Sequence, residues 1–524
     1  MTTVYHLGLS ILIAGALAVA SPAPAAERPN IVIMMLDDLG FSDFGCYGSE
    51  IETPHIDALA ADGLRFSRFY NTAKCHSSRV SLLTGLYCDQ AGSNALDRGV
   101  TIAEVLEKAG YRTAMVGKWH LNGEPTDRGF ERYFGHLSGA TNFFTGDDTF
   151  RLNGEPWEEF DEDFYTTDAF IDHAKNFLDE MIAPADGKPF LLYVAHNAPH
   201  YPLHVIEEDF RKYEHRYDAG WDAVRDRRFA RQREMGLIPE GWALSPRPEN
   251  VPAWKELTVE EKRWESERMA AFAGMVDRVD QATGRLVDHL KERGVFEDTL
   301  IMICSDNGAC PFDRTRGGEK RPWDPDSYWC YDTGWSHVGN TPFRLHKQNQ
   351  HEGGIASPLI VHWPAGLDTR PGSIVDDPAH LVDFMATCLD VAGADYPRSW
   401  PGIELEPLQG LSLRPIFAGQ ARTPHDFLFF HFGENRAIRQ GKWKIVTHRA
   451  SRWELYDIEK DGTELRDLAD QYPEKVEELS TLWHEFAAGE NRLGKKATKP
   501  VSGRRPPLLQ KDGRPVRGKG SPRP

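Results

Sequence analysis

Short, nearly unbroken apolar runs recur along the chain, at Ile31–Leu36, Thr113–Val116, Phe190–Ala195, Leu300–Cys304 and Leu359–His362. Runs without polar alternation suit strands buried on both faces. Between them, apolar residues return at helical spacing. Within Thr258–Arg293, Phe272, Met275, Val279, Leu286 and Leu290 lie near a 3.6-residue period. Thr53 and Pro54, followed by His55–Asp62 and Gly63, offer a cap, a proline at the first helical position and a glycine stop. Strands alternating with helices predict an α/β fold with a large mixed, mostly parallel sheet flanked by helices. Residues 201–257 are polar, rich in Arg, Asp, Glu and Trp, and lack strong strand patterns. They are expected to pass over the sheet edge and form part of a cleft wall. A different pattern starts near residue 425. Phe427–Phe432, Arg436–Arg439, Trp443–Val446 and Trp453–Tyr456 are short strand-like runs, and Pro473–Phe486 sets Val476, Leu479, Leu482 and Phe486 on one helical face. This predicts a small C-terminal antiparallel sheet with one helix.

The two ends differ from this pattern. Leu7–Ala20 is apolar except for Ser10 and leads into Ala23-Pro24-Ala25-Ala26. A run of 14 residues is too short to span a bilayer, and small residues after it suit a cleaved signal peptide. The expected organisation is a signal peptide over 1–26, an α/β domain over 27–424, a small α+β unit over 425–494 and a disordered basic tail over 495–524. Export to a periplasmic or extracellular space follows, with no membrane span in the mature chain.

At 524 residues the chain exceeds the usual single-domain size. Its 40% hydrophobic and 27% charged composition is globular and excludes a mainly disordered protein. The net charge of −18 argues against nonspecific nucleic-acid binding by the body. Residues 495–524 hold ten Lys and Arg against one acid, so the tail carries +9 and the rest −27. Export permits disulfides, and seven cysteines leave one over. Cys304 and Cys388 read as buried small hydrophobes, whereas Cys310 and Cys330 flank a polar loop and are candidates to pair.

Chemistry collects after the strands. Ile31–Leu36 ends in Asp37-Asp38, Thr113–Val116 in Gly117-Lys118-Trp119-His120, Phe190–Ala195 in His196-Asn197-Ala198-Pro199-His200, and Leu300–Cys304 in Ser305-Asp306-Asn307-Gly308. In parallel sheets the carboxyl ends of the strands form the ligand edge. Asp37, Asp38, Asp306 and Asn307 offer oxygen only, which suits a hard cation, and Ca2+ before Mg2+ because adjacent Asp residues give an irregular shell. The stretch from His76 to Leu83 predicts a helix with Cys75 at its anion-favouring N-terminus and Arg79 one turn on. A low-pKa cysteine nucleophile is the generic reading.

Cys75, Arg79 and Leu83-Thr84-Gly85 together resemble the signature of the sulfatases, within the alkaline-phosphatase-like superfamily. Asp37-Asp38, Gly117–His120, Ala198-Pro199-His200, Ser305–Gly308, and Lys347 with Glu352-Gly353-Gly354 match in the same order, so the resemblance covers roughly residues 28–490. It implies an arylsulfatase-like sulfuric ester hydrolase in which a maturase oxidises Cys75 to Cα-formylglycine. It further implies one Ca2+ bound by Asp37, Asp38, Asp306, Asn307 and residue 75, with Asp306 activating the nucleophile. His200 would protonate the leaving alcohol and His120 would deprotonate the second hydroxyl of the hydrated aldehyde. Lys118 and Lys347 would neutralise sulfate oxygens, and Arg79 would hold the hydrated aldehyde and the carboxylates. Ser77 departs from the family pattern, which has Pro or Ala there. Trp119, Phe143, Phe144, Trp329 and Trp335 are candidate walls of an aryl or sugar site, and His136, Asn142, His196 and Arg344 candidate polar contacts.

Other functions fit parts of this pattern. The same scaffold serves phosphodiesterases and phosphonate monoester hydrolases, which paired sulfate and phosphonate assays separate. A chain left unconverted at Cys75 would be a noncatalytic sulfated-glycan binder. The basic tail would serve to attach the protein to polyanions.

Overall fold

The computed structural model describes residues 28–489 together with Leu493 and Val501. The expected signal peptide and almost all of the basic tail lie outside the described residues.

The strand Asn30–Leu36 (β1) carries Ile31–Leu36 at 0–1% exposure, as its unbroken apolar run requires. The other central strands are Leu64–Tyr70 (β2), Arg112–Gly117 (β3), Phe190–Ala195 (β4), Thr299–Ser305 (β5) and Ala356–His362 (β6). They lie in the order β2-β6-β5-β1-β4-β3 within an eleven-stranded sheet. β1 pairs in parallel with β4 and β5, and β3 in parallel with β4. β6 runs antiparallel to both β5 and β2. The carboxyl ends of β1, β3, β4 and β5 therefore meet at one edge. β6 instead starts there, so the loop before it, which carries Lys347, reaches the same edge from the other direction.

Pro54–Asp62 forms a helix (α1), but Thr53 does not cap it as the sequence suggests. Its Oγ1 accepts from the Gly45 N–H at 2.9 Å and donates to Asp57 at 3.0 Å. The 34-residue helix Val259–Glu292 does start on a side-chain cap, the reciprocal box of Thr258 and Glu261, and its predicted apolar face is buried. Residues 201–257 form no strand among the described residues; helices at Glu207–Tyr213 and Gly220–Glu234 occupy them. No helix among the described residues is long and apolar enough to cross a membrane.

Four antiparallel strands, Leu428–Phe432, Asn435–Gln440, Trp443–Thr447 and Glu454–Asp457, make a separate sheet against the helix Pro473–Ala488. Buried ionic contacts tie this sheet to the segment leading into β6. Lys444 lies 2.7 Å from Glu352 and 2.8 Å from Glu464, all three at 3% side-chain exposure or less. Truncating one partner of such a group leaves uncompensated buried charge. Lys444→Ala is expected to cost about 3–5 kcal/mol, read as a lower urea midpoint; an unchanged midpoint would show that the contacts add no stability.

Candidate active site

In a strand, successive side chains point to opposite faces. Asp38 breaks that alternation: its φ of 69° is in the left-handed region, and the turn lets adjacent carboxylates face one space. Cys75 opens the helix Cys75–Thr84 (α2), and Arg79 follows on the same face. The Arg79 guanidinium donates to the Lys118 carbonyl at 2.8 Å and lies 3.4 Å from Asp306 and 3.6 Å from Asp37. Lys118 donates to Asp37, and Lys347 donates to Asp38 and to Cys75 Sγ, the last at 3.0 Å. The Asp38 backbone N–H donates to Asp306 at 3.2 Å. His200 Nε2 stands 3.6 Å from Asp38 Oδ2, while Nδ1 donates to the Tyr201 carbonyl at 2.7 Å.

Three carboxylates and three cations thus share one buried space. Burial works to raise Asp37, but Lys118, His200 and Arg79 outweigh it and hold the carboxyl well below the usual range. Burial is likewise overcome at Asp38, by Lys347 and His200. At Asp306 burial prevails: with Asp37 it pushes the carboxyl up to about 8 against Arg79. Burial and Asp37 push the Cys75 thiol up despite Lys347 and Lys118. The expectation of a low-pKa thiolate is therefore overturned, because α2's N-terminus cannot offset enclosure beside carboxylates. Burial, Lys118 and Arg79 keep His120 neutral, and burial holds His200 down at about 3 against Asp37 and Asp38.

Three buried oxygens, Asp37 Oδ1, Asp38 Oδ2 and Asn307 Oδ1, have no hydrogen-bond partner. Asn307 spends its amide on Asp38 at 2.7 Å and on the Gly308 carbonyl at 2.9 Å, which leaves its oxygen free. One ligand atom each from Asp37, Asp38, Cys75 and His200 falls within 4.8 Å of the others. Orphaned buried acceptors are costly unless something positive meets them. The donor set fits a hard cation, with His200 nearer to it than the sequence predicts.

Of the other expected site residues, Asn142, Arg344 and His136 have partners elsewhere. Asn142 donates to the Pro325 carbonyl at 2.7 Å and Arg344 reaches Glu454 at 3.2 Å. His136 bonds Ser138 at 3.0 Å, and His196 is buried with both ring nitrogens unbonded. Trp119, Phe143, Trp329 and Trp335 belong to the core rather than a pocket wall, and Phe144 packs against it half-buried. Trp335 meets Trp221 and Trp254 with centroids 5.8 and 5.9 Å apart. Cys310 and Cys330 do not pair; all seven cysteines are free. Sequence reasoning passed over His76, whose ring centroid lies 5.9 Å from that of His120 and 6.0 Å from that of Phe432. Its place directly after Cys75 was the available signal.

The Sulfatase family model matches residues 29–394, and the model described as N-sulphoglucosamine sulphohydrolase, C-terminal, matches residues 344–489. An uncharacterized sulfatase of Schizosaccharomyces pombe is 31% identical, over 88% of this chain and 94% of its own. An arylsulfatase of Klebsiella aerogenes is 29% identical, over 79% and 97%. A solved structure of Ps i-CgsB in complex with k-i-k-neocarrahexaose is 25% identical with a TM-score of 0.66, covering 91% of this chain and 95% of that one.

Proposed function

This chain belongs to the sulfatase family and is a sulfuric ester hydrolase, and we propose that it cleaves aryl or carbohydrate sulfate esters with Cys75 converted to Cα-formylglycine and one Ca2+ bound. Asp37, Asp38, Asp306, Asn307 and residue 75 would hold the cation, with Asp306 also fixed by Arg79 and the Asp38 N–H. The observation that carries the reading is the trio of unpartnered buried oxygens beside residue 75. A bound cation would supply positive charge to sulfate oxygens, and a hydrated aldehyde at residue 75 would supply an oxygen nucleophile with a second hydroxyl. Export, and a maturase acting on Cys75, belong to the same proposal.

The chain's own groups divide the remaining work. Lys118 and Lys347 neutralise charge that grows on sulfate oxygens in a space without bulk water. Arg79 fixes Asp37 and Asp306 with one guanidinium. His200 is anchored through Nδ1, so Nε2 is the nitrogen that takes up and delivers a proton; burial holds its charged form down, and Asp37 and Asp38 work against that. His120, kept neutral, is the base for the second hydroxyl.

General acids matter most for poor leaving groups. His200→Ala is expected to lose about 10²–10⁴-fold on an alkyl or sugar sulfate and far less on nitrophenyl sulfate. Equal losses on both would remove His200 from that role. His120→Ala should uncouple the products, with alcohol appearing ahead of sulfate in the first turnover.

A further inference from the structure

Beyond His200 the site opens onto two arginines that the reaction does not use. Arg314 and Arg316 are exposed, and among the described residues neither makes an ion pair within 4 Å, although the Asp38 carboxylate acts on Arg314 from further away. Both rest on aromatic rings near the proton donor. The Arg314 guanidinium carbon lies 5.3 Å from the ring centroid of Tyr201, the residue after His200, and 6.0 Å from that of Phe312. Arg316 lies 4.7 Å from the Tyr328 ring and donates to the Tyr201 hydroxyl at 3.2 Å.

Their backbone is held on both sides. Arg316 and Tyr328 exchange N–H to carbonyl bonds at 3.1 and 3.0 Å, and the Arg314 N–H donates to Cys330 Sγ at 3.0 Å. Asp313 is gripped by Arg268 at 2.7 Å and accepts from the Thr315 N–H at 2.9 Å. Apart from the Arg316 bond to Tyr201, neither guanidinium has a side-chain hydrogen-bond partner among the described residues, and a guanidinium with free nitrogens can bind a planar or tetrahedral anion by two bonds. An acidic body elsewhere makes two arginines without a close ion pair beside an anion-processing site informative.

We propose that Arg314, supported by Arg316, is a specificity residue that binds a second anionic group, sulfate or carboxylate, on the alcohol half of the substrate. The proposal rests on the placement of His200 at the leaving alcohol. It makes the preferred substrate a sulfated carbohydrate with a further negative charge, and a neutral aryl sulfate a poorer one.

Three esters test this with converted enzyme: nitrophenyl sulfate, a hexosamine sulfated at two positions, and a sulfated uronic acid. Arg314→Ala is expected to raise KM about 10–100-fold for either or both charged sugars, with kcat nearly constant and nitrophenyl sulfate unaffected. Arg314→Lys should recover part of the loss, since it keeps charge but not the fork. Preference for the doubly sulfated sugar or the uronate identifies the anion. Parallel losses on all three esters, or none on any, would overturn the assignment. Calorimetric binding of the doubly sulfated hexosamine to wild type and Arg314→Ala decides independently of turnover. The same measurement with the sulfated uronic acid completes the test: affinity about tenfold weaker in the variant for at least one of the two sugars supports the site, and equal affinity for both rejects it. Absence of sulfate release by wild type would instead count against the reaction.

Discussion

Sulfate release is expected to rise in direct proportion to the fraction of chains carrying an aldehyde at residue 75, and Cys75→Ala should lose on the order of 10⁴-fold or more, as removal of a nucleophile does. The thiol is a poor nucleophile where it stands. Burial and Asp37 push its pKa up, more than Lys347, which donates to its sulfur, brings it down. Thiol attack on sulfate would leave a thiosulfate ester with no simple exit. A hydrated aldehyde keeps a second hydroxyl whose deprotonation regenerates the carbonyl. Ser77 bears on how much aldehyde forms. Its hydroxyl donates to the Lys74 carbonyl at 3.0 Å and shares a 2.7 Å bond with Thr72. It lies in the first turn of α2, where a proline is tolerated because no intrahelical N–H bond is lost. Ser77→Pro should therefore raise the converted fraction without changing the rate per converted site. Peptide mass at residue 75 and sulfate release, measured on preparations of different conversion, should define one line through the origin. Multiple turnover from material with only thiol at residue 75 would overturn the mechanism.

Much of the site was legible because its residues follow strand ends, and strand ends in a parallel sheet must converge. Asp37-Asp38, Lys118 and Asp306-Asn307 needed only the apolar run before each to be placed. Lys347 was harder to place on physical grounds. It precedes its strand, and it reaches the edge because β6 is antiparallel, which a short apolar run cannot reveal. The aromatic candidates failed for a related reason. Trp119, Trp329 and Trp335 carry no periodic signal that separates a pocket wall from a core, and packing chose the core. Arg314 and Arg316 were overlooked since their meaning lies in Tyr201 and Tyr328, one of them more than a hundred residues away in sequence. The thiol's raised pKa was also hidden, because it follows from enclosure with Asp37, a residue on another strand end.

Asp37→Ala is expected to lose bound calcium and activity together, with metal content falling from about one equivalent to near zero and kcat/KM falling on the order of 10³-fold. The argument is one of charge and of free acceptors. Asp37, Asp38 and Asp306 face Arg79, Lys118 and Lys347, and of the three carboxyl groups only Asp37 and Asp38 are held low, so the space is short of negative charge already. Removing Asp37 deletes one of the three orphaned oxygens and leaves Lys118 without its carboxylate. The remaining site is net positive and repels a divalent cation. Asp37→Asn separates the two contributions: it keeps an oxygen of similar shape but not the charge, and should retain more metal than the alanine variant. Elemental analysis of both variants, with circular dichroism to confirm folding, reads the outcome. Full calcium in folded Asp37→Ala would remove Asp37 from the ligand set. Stoichiometric zinc in the native protein would reject the hard-cation assignment itself, since zinc draws on nitrogen and sulfur donors.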